Sequence, residues 1–146
     1  MEKIPLCLIG CGGMGHRHIL AYKELEDSGI GNIELVGVCD LNPDNADLGK
    51  REVERLFGRT PLVFAALDEV VAHPDIAAVD VVTDPSVHHQ VAVPVLEAGK
   101  HVLCEKPLGI TIRACQAMIG AAENMLKALS ADSILMSAAS RMSAST

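Results

Sequence analysis

Short apolar runs alternate with longer segments of helical period from residue 4 to about residue 129, and the alternation repeats five or six times. Brief, nearly continuous apolar runs bounded by turn residues mark strands covered on both faces, and a helix between successive strands makes each pair parallel. The pattern predicts an α/β domain: a doubly wound parallel sheet of about six strands, in three layers. "IPLCLI" (4–9) is the first strand, and the helix after it runs from about Gly13 to Ser28, ending at Gly29 and Gly31. "IELVGVCD" (33–40) is the second, after which Asn42 as cap and Pro43 as first helical residue open a charged helix to about Phe57.

A third strand falls near Leu62–Phe64, and "LDEVVAHPDI" gives a short helix closed before Pro74. "AAVDVVT" (77–83) is the fourth strand, followed by a helix from about Val87 to Ala98 that stops at Gly99. "HVLCE" (101–105) is the fifth. Thr111 caps a long helix from Ile112 to about Leu129, in which Ala114, Ala117, Met118, Ala121, Ala122 and Met125 recur at helical spacing. "SILMSAAS" (133–140) is a candidate sixth strand, whereas "ASRMSAST" is small, polar and aperiodic, and is expected to fray.

Composition narrows the picture. A chain of 146 residues, 49% hydrophobic, fits a single domain over residues 1–146, with residues 130–146 as its weakly ordered or strand-forming tail. Twelve basic residues against nineteen acidic ones leave a net charge of -7, which repels a polyphosphate chain, so nucleic acid is not an expected partner. No window approaches the roughly 20 apolar residues of a membrane span, and no signal-peptide pattern opens the chain. The five cysteines (Cys7, Cys11, Cys39, Cys104 and Cys115) fit neither a zinc site nor a disulfide framework. Buried, reduced thiols, no metal and a cytoplasmic setting are expected.

"LIGCGGMGHRH" (8–18) brings chemistry. Gly10, Gly12 and Gly15 form G-x-G-x-x-G between the first strand and its helix, the context that a phosphate-binding turn requires. In that setting the first glycine makes the tight turn, the second lets a pyrophosphate approach the main chain, and the third lets helix and strand pack closely. Gly13 and Met14 complete the turn, whose helix N-terminus offers unpaired N–H groups to phosphates. Asp40, at the end of the second strand, can accept hydrogen bonds from both ribose hydroxyls of an adenosine and repels a 2′-phosphate, and no Arg or Lys follows in "DLNPDN". NAD is favoured, with NADP as the alternative. Asp40 is also suited to capping the turn into the Pro43 helix.

The remaining strand ends fall on the same edge, where ligands of open parallel sheets bind. "TDPSVHH" supplies Thr83 and His88, and "EKP" supplies Glu105, Lys106 and Pro107. A lysine beside a nicotinamide can favour alkoxide charge on a substrate oxygen. Glu105 can fix that lysine or the main chain, and Pro107 stiffens the turn, a cis Lys106-Pro107 bond being one way to do so. Of His88 and His89, one is expected to touch cofactor or substrate and the other to pack or face water. His16, His18, His73 and His101 share no ligand geometry and are read as structural or exposed, and the methionines as core filler.

"CLIGCGGMGHRH", "ELVGVCD", Thr83 to His88, and above all "LEAGKHVLCEKPLGIT" (96–111) resemble the glucose-fructose oxidoreductase / inositol dehydrogenase / rhizopine-catabolism dehydrogenase family over about residues 3–127. "ILMSAASRM" resembles, more poorly, the family's sixth strand with its trailing arginine, here Arg141. The resemblance implies a Rossmann domain binding NAD or NADP, hydride transfer to or from a sugar, cyclitol or related alcohol, Lys106 as the active-site lysine, and His88 as the histidine of the fourth-strand loop. Gly10, Gly12, Gly15 and Asp40 take the cofactor role, and the full-length protein is expected to be a homo-oligomer. The family is commonly more than twice this length, so the substrate domain is expected to be absent from this chain. The other readings are a non-catalytic NAD sensor or interaction module, and a glycoside-cleaving relative that uses the nucleotide transiently.

Overall fold

The computed structural model describes the backbone of residues 2–143 and the side-chain surroundings of residues 2–130. Its elements, in chain order, are β1 (Ile4–Ile9), α1 (Gly13–Ser28), β2 (Ile33–Cys39), α2 (Pro43–Phe57), β3 (Leu62–Phe64), α3 (Leu67–Ala72), β4 (Ala78–Val81), a 3-10 turn (Pro85–Val87), α4 (His88–Glu97), β5 (His101–Cys104) and α5 (Ile112–Ser143). The strands form one five-stranded sheet in the order β3-β2-β1-β4-β5, with every pair parallel. This is a doubly wound order, which reverses direction between β1 and β4.

Alternation along β1 explains why its sequence reads as an unbroken apolar run. Leu6 and Leu8 point into one core with Ile19 of α1 and Val53 of α2, while Cys7 and Ile9 point into the other with Val70 of α3 and Val95 of α4. Helices on both faces leave no polar side to the strand. The register shifts between Leu6 and Cys7, where Leu6 pairs with Leu35 but Cys7 with Gly37. Val36 is the extra residue, so Leu35 and Val38 reach the same core although three positions apart. Gly37 is tightly enclosed there: a Cβ on it would lie 3.1 Å from the Phe64 ring and 3.3 Å from Cys7 Sγ.

β1, α1, α2 and β3 keep the bounds read from the sequence, and β2, β4, α4 and β5 begin and end within two residues of theirs. Asn42 accepts from the Asp44 N–H at 2.9 Å, with Pro43 at the first helical position of α2, as expected. The sixth strand expected over 133–140 is not formed, because α5 continues to Ser143. The segment from Ala121 to Ser143 contains neither glycine nor proline, and "SILMSAAS" has one β-branched residue, Ile134, among good helix formers. Nothing there stops the helix near Leu129. Residues 139–143, expected to fray, belong to that helix, as does Arg141, and residues 144–146 lie outside the described residues. Along α5, Ala114, Met118, Ala121 and Met125 form the buried stripe, Ala117 falling off it, and Ala121 and Met125 pack with Leu96 of α4. Among the described residues, no helix is long and apolar enough to cross a membrane.

One buried cation closes the link between α3 and β4. Lys100 is 9% exposed and its Nζ donates to the carbonyl oxygens of His73 at 2.8 Å and Ile76 at 2.7 Å. Replacing Lys100 with Ala strands acceptors in a poorly hydrated place and is expected to lower the unfolding free energy by about 1–3 kcal/mol. Urea unfolding of the variant measures this, and an unchanged midpoint would show that these two hydrogen bonds contribute nothing.

Candidate functional site

Register brings the strand ends level. Ile9 pairs with Cys39 on one side and Val81 on the other, Cys39 with Phe64, and Val81 with Cys104. The ladder runs one residue further: the Gly10 N–H donates to Cys39 O at 2.9 Å, Val82 N–H to Ile9 O at 2.8 Å, and Glu105 N–H to Val81 O at 3.0 Å. Gly10, Asp40, Thr83 and Glu105 therefore emerge together at the carboxyl edge. The sequence-predicted site residues share that edge, at the reversal of strand order.

Two of the three motif glycines are required by packing. Gly10 has φ +103, and a Cβ on it would stand 2.4 Å from Val82 O. A Cβ on Gly15 would stand 2.0 Å from Gly10 O, so α1 lies against the turn with no space for a methyl group. Gly12 and Gly13 differ, since a Cβ on either meets nothing within 4 Å. Gly12 caps α1 at φ -72 and ψ -162, an ordinary extended conformation, with no side chain bonded to the helix end. Gly12, Gly13 and Met14 are exposed, and the first-turn amides lie bare at the positive end of the helix dipole.

Asp40 stands opposite this turn. Its Oδ2 accepts from the Cys11 N–H and its Oδ1 from the Asn42 N–H, each at 2.8 Å. The first bond ties the glycine turn to the end of β2; the second caps the turn into α2. Each oxygen keeps a lone pair for another donor. Between the ends of β1, β2 and β4 lies a cleft of about 490 Å³, lined in part by Gly10, Gly12, Asp40, Leu41, Thr83 and Val87. Thr83 Oγ1 is buried in its wall without a protein hydrogen-bond partner. A polar atom left so is supplied by a ligand or water.

The Glu105–Pro107 turn lies beside the cleft, at the end of β5. Glu105 is half-buried, Lys106 and Pro107 are exposed, and the Lys106-Pro107 bond is cis. His88 is wholly buried. Thr83 O lies 3.1 Å from its Nε2, and Pro107 O and Leu108 O lie 3.1 and 3.2 Å from its Nδ1. As the first residue of α4 it is folded under the turn, where main-chain carbonyls occupy both nitrogens. It joins the wall of the cleft to the lysine turn.

Sequence reading missed a cluster beneath that turn. Asp80, on the interior strand β4, is wholly buried, and its Oδ2 accepts from Tyr22 Oη at 2.6 Å and lies 2.7 Å from His18 Nδ1. His18 Nε2 lies 3.0 Å from Glu105 Oε1, and Glu105 Oε2 accepts from the Lys106 N–H at 3.0 Å. One signal was available: an aspartate inside the apolar run "AAVDVVT" must find buried partners or forfeit several kcal/mol (roughly). Burial raises the Tyr22 pKa, reinforced by the Asp80 charge. Burial likewise pushes Cys11 up to about 12 and Cys39 to about 11, with the Asp40 charge adding to both. These thiols stay protonated at neutral pH, and all five cysteines are free, as expected.

A parallel sheet in this order, with a bare glycine turn after β1 and a carboxylate closing β2, defines the class of dinucleotide-binding α/β domains. Comparison with known proteins narrows the class. The chain belongs to the oxidoreductase family with an NAD-binding Rossmann fold, whose family model matches residues 4–133. It is 32% identical over 128 residues to levoglucosan dehydrogenase of Pseudarthrobacter phenanthrenivorans, a match covering 85% of this chain and 31% of that protein. It is 30% identical to inositol 2-dehydrogenase of Klebsiella pneumoniae, covering 82% of this chain and 33% of that one. The WlbA dehydrogenase of Bordetella pertussis, solved with NADH and UDP-GlcNAcA, superimposes with a TM-score of 0.72 at 29% identity, covering 85% of this chain and 35% of that chain. The chain thus spans about a third of the length of these relatives.

The contrast between the glycines is open to test. Gly15→Ala forces α1 away from Gly10 and is expected to cost about 1–3 kcal/mol of stability, whereas Gly13→Ala, with open space around it, leaves the melting temperature unchanged. Equal melting temperatures for the two variants would contradict the packing argument.

Proposed function

We propose that the chain binds NAD across its carboxyl edge and serves the oxidation or reduction of a sugar, cyclitol or related alcohol, with Lys106 at the reacting end. The observation that carries this reading is the bare Gly12–Gly13 main chain. Folding does not need either glycine to lack a side chain, yet a diphosphate against the start of α1 does. The unpartnered Thr83 Oγ1 and the free lone pairs of Asp40, on the same cleft, add polar groups suited to such a ligand.

In this reading Gly12, Gly13 and Met14 donate main-chain N–H bonds to the diphosphate, and Gly10 and Gly15 keep the turn low enough for it to approach. Asp40 accepts from the adenosine ribose, and its charge, without a neighbouring cation in "DLNPDN", disfavours a 2′-phosphate. The nicotinamide supplies or takes up a hydride when bound. Lys106 Nζ donates to the substrate oxygen and favours the negative charge that develops there. Glu105 and His88 hold the turn that carries Lys106.

Calorimetric titration tests the cofactor assignment. NAD is expected to bind at least about tenfold more tightly than NADP, and Gly12→Val to abolish binding of both while lowering stability only by the loss of a favoured N-cap, about 1 kcal/mol. Retained binding by Gly12→Val would remove the observation on which the reading stands. The role of Lys106 is tested with Lys106→Met in the protein at its native length: hydride transfer to the preferred sugar or cyclitol should fall about 10²–10⁴-fold. NADH affinity should change no more than about tenfold. Full turnover by Lys106→Met would favour a binding module or another catalytic group.

A further inference from the structure

We propose that His18 is the positioning residue for Lys106. Its protonated ring ties Glu105, and through Glu105 the Lys106 main chain, to the buried Asp80 carboxylate, and its deprotonation releases the lysine turn. The proposal rests on the function proposed above for what Lys106 does, but the tie itself is a property of this chain alone.

With both carboxylates ionised, the geometry fits a ring protonated at both nitrogens. Nδ1 lies 2.7 Å from Asp80 Oδ2 and Nε2 lies 3.0 Å from Glu105 Oε1, and an ionised carboxylate only accepts. A singly protonated imidazole would turn a lone pair toward an anionic oxygen at one of these distances. The two contacts are unequal in their freedom to part. Asp80 has no exposed side-chain surface, sits within the ladder of β4 and is held by Tyr22 Oη, whereas the Glu105 side chain is 25% exposed at a strand end. Loss of a proton from His18 therefore breaks the bond to Glu105. Glu105 Oε2 is also the acceptor for the Lys106 N–H, so a swing of that side chain frees the main chain of the lysine. His88, beneath Pro107 and Leu108, holds the far end of the same turn.

The charged groups around His18 agree with this order of events. Asp80 from β4 and Glu105 from the end of β5 face the ring; Tyr22 on α1 and Cys104 on β5 adjoin Asp80, and Lys106 adjoins Glu105. Burial works against the charged ring, but the hydrogen bonds and charges of Asp80 and Glu105 outweigh it, and the His18 pKa is raised. For a histidine so raised, the stabilisation is complete below the ordinary value of about 6.5 and is lost as pH rises through the folded value. The lysine turn is then fastened below the ordinary histidine value and loosens as pH rises through the raised folded one.

Two measurements on the chain, and on His18→Gln, test this. In a pH titration followed by NMR from about pH 6 to 9, the Lys106 amide resonance is expected to move with the same midpoint as the His18 ring in the wild-type chain, and to lose that transition in His18→Gln. Calorimetry with NADH and with ADP-ribose, which lacks the nicotinamide, isolates the lysine end of the cleft. The ratio of NADH to ADP-ribose affinity should fall about fivefold across the His18 midpoint and stay level with pH in His18→Gln. A Lys106 amide indifferent to His18, or the same pH-dependent ratio in His18→Gln, would overturn the proposal, since a purely packing role for the ring predicts both. If neither ligand binds, the cofactor reading falls and the nicotinamide end of the proposal with it, while the Lys106 amide still judges the tie on its own.

Discussion

At the junction of β1 and β4, Gly10 passes so close to the main chain of Val82, and α1 so close to Gly10, that neither Gly10 nor Gly15 has room for a Cβ. That approach lets α1 start directly against the end of β1, where the strand order reverses. The start of α1 is thereby aimed over the carboxyl edge, with its first amides pointing into the space between the ends of β1, β2 and β4. Asp40 belongs to the same construction: its bond to the Cys11 N–H fastens the turn to β2 from the other side. A helix end of partial positive charge and a fixed carboxylate are held across one cleft by contacts that exist without any ligand.

Sequence periodicity made the scaffold legible because the strands of this sheet are buried on both faces. Runs such as "IPLCLI" and "AAVDVVT" admit few other readings between helices with clear caps, and Asn42-Pro43 and the glycines after α1 and α2 mark boundaries by their own local chemistry. The last segment failed for a complementary reason. "SILMSAAS" resembles a strand, but with Ile134 as its one β-branched residue and no glycine or proline from Ala121 to Ser143, local preference favours extending α5. Resemblance to a strand elsewhere could not outweigh that preference in this chain.

The site was legible only where one residue type at one position carries the chemistry. Glycines in a turn and a carboxylate at a strand end announce themselves. His88 did not, because what decides its role is which atoms surround the ring: three carbonyl oxygens from two loops, one of them twenty residues away. His18 lies 62 residues from Asp80 and 87 from Glu105, so no spacing rule links them. The trace that did survive in the sequence was the misfit of Asp80 in an apolar strand, a charge whose burial requires partners that only the fold can name.

The two histidines under the lysine turn hold it by different means. His88 is enclosed, and main-chain carbonyl oxygens of two loops, which carry no net charge, face both of its ring nitrogens. His18 sits nearer the surface between two carboxylates, where attraction depends on the charge of the ring itself. A turn fixed at its Pro107 end and fastened electrostatically at its Glu105 end pivots rather than detaches when the second hold weakens. Lys106 lies between the two holds, which is where a small rotation of the turn moves a long side chain furthest. The buried aspartate is thus more than a cost to the sheet: it is the fixed point against which the lysine is set.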